Sequence, residues 1–160
     1  MSVPTVKLSE FARTQFGMAE VTATALRRYG QALLVIAGSD GEVSPSELRW
    51  LIDHQRRFGV PEAIVEEYRV FDYHAPVDLG ALAASIQVDY AWVAGPTLVY
   101  HAIQMSSADG EYAAGERARV AEAAAAVGVS SDLLAQLEAL VALETSTATL
   151  RRTLLGLENI

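Results

Sequence analysis

A chain of 160 residues with 51% hydrophobic and 20% charged side chains can bury a substantial core, which excludes a disordered polypeptide. It has no cysteine, so disulfides, thiolate metal sites and a cysteine nucleophile are excluded. The formal charge of −8 repels phosphates and anionic lipid heads, which argues against nucleic acid and suits cations or basic protein surfaces. No apolar run approaches the ~20 residues of a membrane span. The opening Met1-Ser2-Val3-Pro4-Thr5-Val6-Lys7 lacks the apolar core of a signal peptide. The expectation is one cytoplasmic domain over residues 1–160, without direct membrane insertion.

Alanine and leucine are abundant and strand-like alternation is nearly absent, so the elements read as helices. A first long helix is expected from about Met18 to Gly38, with an apolar stripe through Val21, Ala25, Tyr29, Leu33 and Ile36. The next begins after Ser44, with Pro45 at its first position and Gly59 past its end. Pro61 opens a helix carrying Ile64, Val65, Tyr68 and Phe71. Tyr73-His74-Ala75-Pro76 reads as a turn, and Asp78 caps a short helix reaching Ile86. After Gly95-Pro96 a helix runs from about Thr97 to Ala108, and another from about Gly115 to Val127, stopped by Gly128. Ser130 or Ser131 caps a last long helix ending near Leu155.

Two segments match each other. Ala37-Gly38-Ser39-Asp40-Gly41-Glu42-Val43-Ser44-Pro45-Ser46-Glu47 runs parallel to Ser106-Ser107-Ala108-Asp109-Gly110-Glu111-Tyr112-Ala113-Ala114-Gly115-Glu116. Both give Asp-Gly-Glu, an apolar residue, three small residues and a final Glu, and both precede helices that end in glycine (Phe58-Gly59-Val60 and Val127-Gly128-Val129). The chain therefore reads as two copies of a helix–loop–helix unit, with repeat cores at about 25–59 and 94–128, related by a pseudo-twofold axis.

Each loop carries an acid before a tight glycine turn and another in the first turn of the next helix, so it folds two carboxylates toward each other. The spacing matches the second half of an EF-hand loop. The upstream ligands are missing, because Ile36, Gly38, Met105 and Ser107 stand where acids or amides are needed, and a complete EF-hand is not expected. If the two loops face each other, Asp40, Glu47, Asp109 and Glu116 form a cluster that needs a cation or protons to be stable, with Glu42 and Glu111 as further acids. Oxygen ligands point to Ca²⁺, Mg²⁺ or Mn²⁺ as the cofactor. A purely structural use competes with this. Ser44-Pro45-Ser46-Glu47 is a capping box, whereas in the second loop Ala113 replaces the capping hydroxyl.

The paired Asp-Gly-Glu loops, Asp40 to Glu47 and Asp109 to Glu116, each set between helices, resemble those of the tellurite-resistance TerB-like family, over about Ala25 to Leu143. The resemblance implies an all-α single domain, a bundle of about seven helices. It also implies an acidic centre that binds metal ions, placed here at Asp40, Glu47, Asp109 and Glu116. Further implications are a link to tellurite or other chemical stress and protein partners in complexes near the membrane.

The remaining candidates are weaker. His101 precedes Asp109 by about 12 Å of helix and His54 follows Glu47 by about 10 Å, too far to share an ion directly, and His74 sits in a turn without a partner in sequence. The histidines therefore read as packed or surface residues. Nucleophile elbow, Walker loop and dinucleotide fingerprint are all absent from the sequence, so an enzyme is not expected. The last helix is rich in leucine and either packs on the core or leaves a strip for a partner or a homodimer.

Overall fold

Ser9, Thr22, Ser44, Asp78 and Ser130 each stand just before a helix, and each side chain accepts an amide hydrogen bond from that helix's first turn. Such a cap is worth ~1 kcal/mol, and at Ser44, Asp78 and Ser130 it coincides with the starts expected from the sequence. The computed structural model describes residues 4–86, 88 and 92–157. Within them, a small hairpin pairs β1 (Thr5–Lys7) with β2 (Glu20–Thr22), antiparallel, with Val6 opposite Val21. Eight α-helices make up the rest of the regular structure: α1 (Glu10–Phe16), α2 (Ala23–Ala37), α3 (Pro45–Phe58), α4 (Glu62–Arg69), α5 (Leu79–Ala84), α6 (Ala94–Ser106), α7 (Ala114–Ala126) and α8 (Ser131–Leu155). A short 3-10 turn, Gly38–Asp40, extends α2. The chain is an all-α helical domain.

Three expectations shift. The first long helix begins at Ala23, not near Met18, because Glu20–Thr22 pairs with the N-terminal strand and Thr22 then caps the helix. That strand places Val21 in the core. The segment before it contributes α1, capped by Ser9, which had no counterpart in the sequence reading. The helix expected from Thr97 begins at Ala94, with Pro96 inside its first turn. Proline is tolerated there because an amide in the first turn has no partner within the helix to lose.

The core lies where α2 and α6 pack together. Leu33, Leu34, Leu98, Val99 and Ile103 are fully buried there, joined by Leu51 of α3, Val65 of α4 and Val120 of α7. Fully burying one such side chain stabilises the fold by about 1.5–3 kcal/mol. Close approach is tightest between α2 and α4. A Cβ at Gly30 would lie 2.2 Å from the ring of Tyr68, so only glycine lets α4 lie flat against α2. Tyr68 is fixed in that position by its hydroxyl, which donates to the carbonyl of Leu26 at 2.8 Å.

Candidate functional site

The two Asp-Gly-Glu loops have the same local geometry. Gly41 and Gly110 take φ of 107° and 95°, a left-handed conformation that glycine alone adopts without strain, and each returns its amide to the preceding turn. The carboxylate before each glycine closes an Asx turn: Asp40 accepts the amide of Glu42 at 3.3 Å and Asp109 accepts that of Glu111 at 3.0 Å. The acid in the following helix reaches back to its N-cap: Glu47 accepts the Ser44 amide at 3.3 Å and Glu116 accepts the Ala113 amide at 2.7 Å. In the first loop Ser44 returns the favour by accepting the Glu47 amide at 3.2 Å, a complete capping box. Ala113 has no hydroxyl, so the second loop keeps only half of it.

Arg119 of α7 enters the first loop. Its guanidinium donates to the carbonyl of Ala37 at 2.6 Å and lies 3.2 Å from the Asp40 carboxylate. A positive charge is favoured at this place, since the C-terminus of α2 carries the negative end of the helix dipole. The Arg119 side chain is 14% exposed and that of Asp40 55%, so the pair sits at the solvent boundary, with the guanidinium tucked under the loop. From the other side, Tyr73 accepts the Val43 amide through its hydroxyl at 3.2 Å, and His74 bonds the Gly41 carbonyl at 2.7 Å. One atom in this otherwise satisfied loop is left over. Glu47 is buried, and its Oε2 has no hydrogen-bond partner.

Sequence spacing gave no sign of a second polar centre. His54 of α3 and His101 of α6 meet with their Nε2 atoms 3.1 Å apart. The chain continues through His101 Nδ1 to the Tyr29 hydroxyl on α2, and through His54 Nδ1 to the Gln55 amide at 3.2 Å, which in turn meets the Tyr68 hydroxyl at 3.1 Å. Trp50 stacks on the His54 ring at 4.7 Å, and Phe16, Phe58 and Tyr100 surround His101.

Burial and the Arg57 charge push His54 down to about 4. Burial and the neighbouring His54 hold His101 well below the usual imidazole range. Burial likewise raises the Tyr29 phenol. All three are neutral at pH 7. The pair separates a narrow apolar cavity of about 40 Å³ beside Met18, Leu26 and Trp92 from a wider cleft of about 810 Å³ between α1, α3, α6 and α8. Because the participating residues come from four helices, no short motif could have revealed them.

No family model and no curated protein matches the sequence. A solved structure does resemble it. A tellurite resistance protein from Nostoc punctiforme aligns with a TM-score of 0.81 and 26% identity, covering 94% of this chain and 92% of that one. The chain shares the fold of that tellurite resistance protein. The likeness extends over nearly the whole bundle, beyond the two loops that first suggested it. In this chain Asp40, Glu47, Asp109 and Glu116 all stand at the helix–loop–helix bends, each with a partner close by in sequence, and Asp40 also with Arg119. Among the described residues, no three His, Cys, Asp or Glu side chains are grouped so as to hold a metal ion. No described helix is long and apolar enough to cross a membrane.

Proposed function

We propose that this TerB-like chain is a non-catalytic helical module of a tellurite-type stress response that works by docking to protein partners, its two Asp-Gly-Glu loops acting as turn-and-cap elements. The observation that carries this reading is Arg119, whose guanidinium occupies the position beside Asp40 and the end of α2 where a cation would otherwise neutralise charge. Asp109, Glu47 and Glu116 are each engaged by an amide of their own loop. The buried imidazoles are held neutral and bond one another, which supports a structural use over acid–base work. The double change Asp109→Ala with Glu116→Ala is expected to cost ~1–2 kcal/mol in urea unfolding, the loss of one Asx turn and half a cap. It should leave partner capture from a lysate intact.

A second reading has Ca²⁺, Mg²⁺ or Mn²⁺ bound at the first loop, and the unpartnered Oε2 of Glu47 favours it. Glu47→Gln separates the two. Glutamine at this position also caps, so the first reading expects a stability change within ~0.5 kcal/mol and a melting temperature indifferent to chelator or added ion. The second expects the wild type to melt higher with added ion and the variant to lose that response.

A further inference from the structure

α8 contributes little to the core for its length: of its 25 residues only Val141 is buried. Leu140, Leu143, Leu150 and Leu154 are exposed at 43%, 64%, 57% and 74%. With Thr147 they fall at the alternating three- and four-residue steps of a coiled-coil seam, and Leu157 continues it just past the helix end. Leucines exposed along α8 and at its end present on the order of 500–600 Å² of apolar surface, most of the ~800 Å² that each partner buries in a standard interface. A strip of that size is at the upper end of the apolar patches that monomers expose, and such patches often mark an interface.

We infer that this strip is the interface of a twofold homodimer in which the α8 helices of two copies pack antiparallel. The charges at its edge favour a second copy over an unrelated protein. Glu144 and Arg151 lie on the same edge of the seam, one before and one after Thr147. An antiparallel copy brings Glu144 of each protomer, which accepts the Tyr100 hydroxyl of its own chain, toward Arg151 of the other, whereas a parallel copy sets this charged edge against the uncharged edge of its partner. Arg151 makes no ion pair with any described residue. The opposite edge, Ala139, Ser146 and Thr153, is small and uncharged, which permits close approach. In the antiparallel register the leucines face leucines and Thr147 faces Leu150 near the axis. One polar residue at such a position fixes register. A twofold, self-complementary contact is the commonest way a soluble chain assembles. This inference is independent of the loops and would stand whether or not they hold a cation.

Sedimentation equilibrium of the full chain at micromolar concentration tests it. The wild type is expected to be a dimer, and Leu143→Asp with Leu150→Asp is expected to weaken the dimer more than 100-fold while the helical circular dichroism persists. A second variant leaves the strip nearly intact. Because the chain has no cysteine, Thr147→Cys supplies a single thiol, which a short bismaleimide should link into a covalent dimer, whereas Ser131→Cys, far from the axis, should not link. A wild type that stays monomeric at high concentration would overturn the inference and leave the strip to a different partner. So would a dimer that survives both aspartates, or linking at Ser131 in place of Thr147.

Discussion

Replacing His101 with alanine is expected to lower the free energy of unfolding by about 4 kcal/mol. The side chain is 1% exposed and packs against Phe16, Phe58 and Tyr100, so its removal leaves a void that this ring cluster can only partly close. It also strips the Tyr29 hydroxyl of the partner given by the structure and leaves one side of His54 unbonded. A buried polar group left without a partner carries its own penalty, of about 1–3 kcal/mol, beyond the lost packing. Urea unfolding at pH 7.5 measures the sum. A loss below about 1 kcal/mol would mean that the helices close over the gap and that the histidine pair does not join α3 to α6.

The same pair makes stability depend on pH. In the unfolded chain His54 takes up a proton near its ordinary 6.5, whereas in the fold it stays neutral down to about 4. Between these values the unfolded state binds more protons, so the contribution is fully present above about pH 6.5 and is lost progressively as pH falls toward 4. For His54 the difference corresponds to about 3 kcal/mol. His101 shifts in the same direction and adds to it. Urea midpoints at pH 7.5 and pH 4.5 should therefore differ substantially. In proton NMR neither imidazole should titrate between pH 8 and pH 5, while the backbone spectrum stays native. A histidine at either position titrating near 6.5 in the folded protein would contradict the buried pair.

Most of the bundle could be read from the chain because helix limits are written locally. Ser44 with Pro45, Asp78 and Ser130 start helices through their own side chains, and Gly59 and Gly128 follow helix ends within one residue of where composition placed them. The Asp-Gly-Glu turns were equally local: an aspartate bonding the amide two residues on is visible in four letters. The N-terminal hairpin was not visible. Its strands are three residues each, too short to display alternation, and their pairing spans the whole of α1. The contacts that give the site its character were also hidden, for a related reason. Arg119 meets Asp40, and His54 meets His101, only through the packing of helices distant in sequence. The acids were therefore visible without the guanidinium that accompanies one of them, and two histidines that looked solitary turned out to be in contact.

Calorimetric titration of the full chain with Ca²⁺, Mg²⁺ and Mn²⁺, each up to millimolar concentration at pH 7.5, bears most directly on the role of the two loops. With Arg119 seated beside Asp40 and each of Asp109, Glu47 and Glu116 bonded to an amide nearby in sequence, none of the three ions should give a saturable heat. A saturable isotherm for one ion per chain that disappears in Asp40→Ala would show that the carboxylates serve a cation after all.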